Sequence, residues 1–227
     1  MEFRTITRAA EAAAHYFDDS KDGVLNLLGV RRRVWINRRI DWLGLNLGEN
    51  ADEKKLINIL EGEFTAEDVG AGEDIKQGKY ILGYELTFTA PKGVSILALV
   101  GNDIRLFEAH NNAIDSVLDE MAKLMALLVK PPVDHSIQRK FSIIGAVINH
   151  DTSPELDPDL HTHIVIPNIG ILDNEPIFLS TERLDFIDDI RPLLPVLSEM
   201  YFTVLKNSVE LMGYRTRDIN EDQGPMK

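Results

Sequence analysis

Three histidines stand close enough along the chain to share one metal ion. His161 and His163 close the stretch HDTSPELDPDLHTH, which begins at His150. Residues two apart in a β-strand project from the same face, so this pair can hold an ion together. If the two segments form a hairpin, His150 ends one strand and His161 opens its partner, bringing up a third imidazole. Three neutral imidazoles leave coordination positions open for water or substrate, as a catalytic metal requires. Taken alone, an HxH in a strand is as often incidental as metal-binding; the third histidine in hairpin register tips the balance. His15, His110 and His135 each stand without a partner at a telling spacing, and His15 is notable only for adjoining Tyr16. The chain has no cysteine, which removes disulfides and thiolate ligands and leaves histidine and carboxylate as the metal donors.

The elements that must position these groups follow from periodicity. Met1 to Thr7 is short and β-prone. Arg8 to Asp19 reads as a helix with Ala10, Ala13, Ala14 and Phe17 on one side, which puts Tyr16 near its C-terminal end. Ser20 to Trp42 is irregular. Ala51 to Glu61 is a short amphipathic helix bearing Leu56, Ile59 and Leu60, and Gly70 to Gly78 is a Gly-rich loop. Tyr80 to Ala90 is a strand with Leu86 and Phe88 on one face and Glu85, Thr87 and Thr89 on the other. Pro91 to Ser95 is expected to turn the chain. Asp103 to Val129 has the apolar spacing of a long helix, ended by Pro131 and Pro132. Lys140 to His150 and His161 to Asn168 are strands of a hairpin joined by the Pro- and Asp-rich Asp151 to Leu160. A last helix is expected from about Ile190 to Met212, with Asp188 or Asp189 as cap, Pro192 in its first turn and Gly213 as its stop.

With 227 residues, 44% of them hydrophobic, the chain suits one domain with a real core. It has no apolar run of membrane-span length and no signal peptide, so a cytoplasmic protein is expected, without membrane insertion. The formal net charge of -13 weighs against a nucleic-acid binder, because affinity for phosphate comes mostly from lysine and arginine. The distribution is uneven, however. Basic residues cluster at Arg31, Arg32, Arg33, Arg38 and Arg39, whereas acids gather at Glu49 to Glu73 and Asp151 to Asp159, and the local field outweighs the total. The cluster is either a solvated face or a phosphate contact, with the second reading slightly ahead.

INHDTSPELDPDLHTHIVIPN resembles the three-histidine motif of conjugative relaxases of the TraI/TrwC (MobF) type, within the wider class of HUH endonucleases. Two further stretches match in the family's order. YELTFTAPKGVSILALVGND is similar to its strand and turn, and AAAHYFDD is similar to its catalytic-tyrosine segment. The resemblance implies an α+β domain with a central antiparallel β-sheet and flanking helices, which nicks single-stranded DNA at an origin of transfer through a 5′-phosphotyrosyl intermediate. Carried over residue by residue, His150, His161 and His163 match the metal ligands, Tyr16 the first catalytic tyrosine, and Glu85 a position where the family usually has aspartate. Lys92, in the matching turn, joins Arg31, Arg32 and Arg33 as an expected DNA contact. The implied cofactor is one divalent ion, Mg²⁺ or Mn²⁺, with Zn²⁺ or another transition metal as alternatives. The implied partners are origin DNA, other relaxosome components and the type IV secretion coupling machinery. Residues 1–216 would form the nicking domain and 217–227 a polar tail, at the N-terminal end of a longer relaxase–helicase.

Elementary chemistry agrees. A free tyrosine has a pKa near 10, so only about a thousandth is phenolate at pH 7 and it needs a base or a nearby cation. A metal on a phosphate oxygen stabilises the charge that grows in the transition state. Glu85 can accept a proton from an imidazole or a phenol; as a plain strand residue it would be a solvated acid, and Tyr16 a plain amphipathic-helix residue. The chain departs from the family in three ways. Phe17 follows Tyr16 and Lys21 to Gly29 holds no tyrosine, so the usual second pair is missing. Gly93 replaces a serine of the turn. The part that closes over DNA in relatives lies beyond the sequence. The alternatives are a replication-initiator-like nickase, a non-catalytic DNA-binding module of the same fold, and a small-molecule metalloenzyme using the three histidines.

Overall fold

The apolar runs Ala146 to Ile148 and Ile164 to Ile166 lack polar alternation because both faces of the strands that carry them are covered. In the computed structural model, which describes residues 1–18, 23–28, 33–36, 48–62, 81–128, 139–173, 175–179 and 186–217, these runs form the middle of a five-stranded antiparallel sheet. Arg31, Arg32, Arg38, Arg39, the Gly70 to Gly78 loop, Tyr80, His135 and residues 218–227 lie outside the described residues.

The strands are β1 (Glu2–Ile6), β2 (Arg33–Ile36), β3 (Gly83–Thr89), β5 (Gly145–Thr152) and β6 (Pro158–Pro167), in the order β1-β3-β6-β5-β2. β4 (Phe141–Ile143), β7 (Ile169–Leu172) and β8 (Glu175–Phe178) make a separate three-stranded sheet. The helices are α1 (Ala9–Tyr16), α2 (Gly23–Leu28), α3 (Glu53–Leu60), α4 (Lys92–Leu99), α5 (Ile104–Leu128), α6 (Phe186–Ile190) and α7 (Leu194–Leu211).

The sheet separates two apolar clusters, and strand alternation assigns each side chain to one of them. Tyr84, Leu86, Phe88, Val147, Ile164 and Ile166 face the larger cluster, with the buried stripes of α5 and α7. Ala146, Ile148 and Val165 face the smaller cluster, with Ala9, Tyr16 and the Leu56, Ile59 and Leu60 side of α3. Asp52 caps α3, its Oδ1 accepting from the Lys55 amide at 2.9 Å. The expected α+β architecture with a central antiparallel sheet is the one observed.

Several local expectations are corrected. α1 buries Ala9, Ala13 and Tyr16 rather than the Ala10, Ala13, Ala14 and Phe17 face, because small alanines define no apolar side on their own and the sheet beneath selects one. Pro91 to Ser95 does not simply turn: Pro91, with φ -53°, leads straight into α4. Ser95 Oγ then accepts from the Leu160 amide at 3.1 Å, which ties that helix to β6. The strand expected over Lys140 to His150 breaks at Ile144, its first part joining the small sheet. Gly145 follows the break because a Cβ there would meet the Val165 carbonyl oxygen at 2.2 Å.

The hairpin loop is also shorter than expected. β5 runs to Thr152 and β6 starts at Pro158, and Ser153 closes the turn with its amide on the Asp157 carbonyl at 2.9 Å. The last helix is divided into α6, a 3₁₀ turn over Arg191–Leu193, and α7. Pro195 lies in the first turn of α7, where its missing N–H costs nothing, and Leu193 rather than Asp188 or Asp189 sits at the cap. Gly213 does end the helix, at φ +93°.

Candidate metal centre

His150 and His161 are direct cross-strand partners on β5 and β6, so the third imidazole is delivered by register rather than by a loop. His163 follows two residues along the same face. The ring centroids of the three are 5.0 to 5.3 Å apart, and each residue offers a nitrogen within 4.8 Å of the other two. His150 and His163 are buried, and His161 is half-buried at the open side.

The hydrogen bonds around the rings fix their tautomers. His163 Nδ1 donates to Glu85 Oε1 at 2.6 Å, and His161 Nδ1 donates to the Asp159 carbonyl at 2.9 Å. Both therefore carry their lone pair on Nε2. His163 Nε2 is buried without a hydrogen-bond partner, a cost that an ion at this point would remove. His150 Nε2 donates to the Tyr16 carbonyl at 3.0 Å. Burial, reinforced by the neighbouring His163, pushes His150 down to about 3, and burial also lowers His163 against the pull of Glu85. Both are neutral near pH 7, the state that binds metal. The donor set thus fits one divalent ion, with the carboxylate–histidine pairing common behind metal ligands.

Glu85 lies on β3, on the histidine face as its strand parity requires, and its neighbour Thr87 pairs with His163. Burial alone would raise its pKa, but hydrogen bonds from His163, Thr87 and Tyr16 hold the carboxyl down at about 2. The Tyr16 hydroxyl is the third of these donors. Burial, then the Glu85 charge and hydrogen bond, push the Tyr16 phenol well above its usual range, while Arg4 pulls the other way. Its ring centroid is 5.2 Å from that of His163. The Tyr16 backbone is fixed as well, since Arg33 Nη2 donates to its carbonyl at 3.3 Å and the Arg33 guanidinium sits 4.6 Å above the Phe17 ring.

Five sequence-predicted residues therefore converge: Tyr16, Glu85, His150, His161 and His163. Arg33 adjoins them but is turned onto the end of α1. Lys92 Nζ donates to the Pro158 carbonyl at 3.0 Å and lies 3.6 Å from Asp157, at the start of β6. Of the other described tyrosines, Tyr84 and Tyr201 are buried in the opposite cluster and Tyr214 donates to Asp103 at 2.8 Å.

Sequence reasoning gave no role to three residues beside the site, of which only His15 was expected near it. His15 places its ring 5.3 Å from His163 and 6.0 Å from His150, and adjacency to Tyr16 was its only signal. Arg4 pairs with Glu85 across β1 and β3, which no motif announces. Asp151, beside His150, accepts from the Val24 and Leu25 amides at 2.7 and 2.8 Å and so pins α2 to the end of β5.

Comparison with known proteins gives the family. Residues 8–226 match the family described as TrwC relaxase. The chain belongs to the TrwC relaxase family. It is 30% identical over 225 residues to the multifunctional conjugation protein TraI of Escherichia coli, covering 97% of this chain and 12% of that protein; the TraI of Escherichia coli strain K12 matches equally. The chain thus spans a small part of the curated relatives it matches. Among solved structures, a metal-bound complex of the conjugative relaxase TrwC with oriT DNA superposes with TM-score 0.66 at 26% identity, covering 95% of this chain and 71% of that one. A TrwC complex with a 27-mer comprising the recognition hairpin and the cleavage site gives TM-score 0.65 at 23% identity, over 96% and 71% of the two chains, a likeness of fold. No helix among the described residues of this relaxase-family chain is long and apolar enough to cross a membrane.

Proposed function

We propose that this chain is the DNA-nicking domain, over residues 1–216, of a cytoplasmic bacterial conjugative relaxase. It would cut one strand at an origin of transfer and remain attached to the 5′ end. The observation that carries this reading is the convergence of the Tyr16 hydroxyl and His163 Nδ1 on one Glu85 carboxylate, directly beside three imidazoles placed to share an ion.

His150, His161 and His163 would hold the ion, Mg²⁺ or Mn²⁺ in this reading. Bound there, it supplies Lewis-acid stabilisation of charge on the scissile phosphate. The protein does the rest. Single-stranded DNA lies across the histidine face with its scissile phosphate at the open side near His161. Glu85 accepts the Tyr16 proton, and the phenolate oxygen attacks phosphorus as the bond to the 3′ oxygen breaks. The leaving oxygen takes up the proton that Glu85 received, directly or through water, and becomes a free 3′-hydroxyl, while the 5′-phosphate stays on Tyr16. Rejoining is the reverse, with a 3′-hydroxyl attacking the phosphotyrosine. If Tyr16 is the sole nucleophile, a further cut would need a second molecule or a released enzyme. Origin DNA, relaxosome proteins and the secretion coupling apparatus are the partners this role implies.

Incubation with labelled origin oligonucleotides and Mn²⁺ or Mg²⁺ tests the reading. A nicked strand with a protein-linked 5′ fragment supports it; binding without cleavage for every origin sequence and metal would instead leave a non-catalytic module.

A further inference from the structure

Behind the metal-binding face, a chain of buried side chains crosses from helix to sheet. His110 on α5 is fully buried, with Nδ1 2.7 Å from the Tyr201 hydroxyl on α7 and Nε2 2.7 Å from Thr162 Oγ1 on β6. Thr162 Oγ1 also accepts from Asn149 Nδ2 at 2.6 Å, and the same amide reaches Asn111 Oδ1 at 3.2 Å. Burial holds Tyr201 protonated, so a consistent assignment has Tyr201 donating to His110 Nδ1 and His110 Nε2 donating to Thr162.

The placement of this chain matters more than its length. Thr162 stands between the ligands His161 and His163, and Asn149 immediately precedes the ligand His150. Asn149 and Thr162 are register partners, one step before the His150–His161 pair. The regular ladder ends there, because the register shifts between His150 and Thr152. His150 and His161 thus occupy the last ordinary rung, where backbone pairing constrains the strands least, while His163 stands opposite Ile148 two rungs earlier. Their rear-face neighbours are joined by a side-chain bond that His110 anchors to the helical layer.

We propose that His110 is a positioning residue for the metal centre. It holds Thr162, and through it Asn149, so that β5 and β6 present His150, His161 and His163 at one ion's distance. His110 touches neither the ion nor DNA. The proposal rests on the reading of the three histidines as metal ligands. Its consequence is that metal affinity, measured without DNA, depends on the bond to Thr162 more than on the bond to Tyr201.

Glutamine and asparagine separate those two bonds, since a glutamine amide falls near the place of Nε2 and an asparagine amide near that of Nδ1. Mn²⁺ affinity of the whole chain is measured by calorimetry for wild type, His110→Gln, His110→Asn and His110→Leu, alongside metal-free melting temperatures. His163→Ala serves as the control for the ligand reading. The expected result is a loss of roughly tenfold or more for Leu and Asn, with Gln restoring affinity to within about threefold of wild type at a melting temperature no higher than that of Asn. Affinities of Leu and Asn within twofold of wild type would overturn the proposal. So would equal losses in all three variants that follow their melting temperatures, which would mark His110 as a core residue only. If His163→Ala binds Mn²⁺ as wild type does, the ligand assignment itself has failed.

Discussion

His163 Nδ1 stands 2.6 Å from Glu85 Oε1, and the same carboxylate accepts the hydroxyl of Tyr16. One acid therefore orients His163 and faces the Tyr16 hydroxyl, and in the proposed reaction it would link the three-histidine cluster to the nucleophile through a single side chain.

Glu85→Gln keeps the shape but removes the charge that receives the Tyr16 proton. Single-turnover nicking should slow by about 10²-fold, within the usual range for general acid–base groups, with DNA affinity little changed. Near-normal cleavage at neutral pH would remove Glu85 from the mechanism.

Acidification should destabilise the metal-free protein in a defined window. His150 is held at about 3 against an ordinary 6.5, so between those values the unfolded chain binds the extra proton and stability rises with pH. The stabilisation of the neutral ring is complete above about pH 6.5 and is lost as pH falls towards 3. Melting curves from pH 7.5 to 4.5 should show a steeper decline in wild type than in His150→Gln, which cannot titrate. Parallel curves would contradict the assignment.

Arg33 separates positioning from DNA contact. Its guanidinium meets the Tyr16 carbonyl and the Phe17 ring, so Arg33→Ala should slow nicking several-fold through a loosened α1. A phosphate contact would instead lower the salt dependence of DNA binding by about one unit of slope. An unchanged slope with slower nicking is expected; an unchanged rate with a reduced slope would return Arg33 to the DNA surface.

Asp151→Ala removes the acceptor of the Val24 and Leu25 amides. Urea unfolding should show a loss of about 2 kcal/mol, the scale of hydrogen bonds to a buried charge. A loss below about 0.5 kcal/mol would show that α2 is held by packing instead.

The three-histidine cluster was legible in the sequence because strand parity is rigid: HxH fixes two rings on one face, and a hairpin supplies the third. Glu85 was legible for the same reason, through its alternation with Leu86 and Phe88. The α1 face was misread because alanine gives little amphipathic contrast, so the docking surface chooses the rotation. α4 reads locally as a turn because Pro91 and Gly93 are turn-forming residues, whereas the contact of Ser95 with the Leu160 amide, which ties the helix to β6, joins residues distant in sequence. His110 looked solitary for a related reason: its partners Tyr201 and Thr162 lie 91 and 52 positions away, and no local pattern joins them.

The account stands most directly on Tyr16 as the group that carries the DNA. After reaction of the wild-type chain with an origin oligonucleotide and Mn²⁺, the DNA-linked peptide is isolated and mapped by mass spectrometry. The predicted result is a single adduct on Tyr16, abolished in Tyr16→Phe while the uncut oligonucleotide binds almost as before, since only one hydroxyl is lost. An adduct on Tyr80, Tyr84, Tyr201 or Tyr214, or one that persists in Tyr16→Phe, would contradict it.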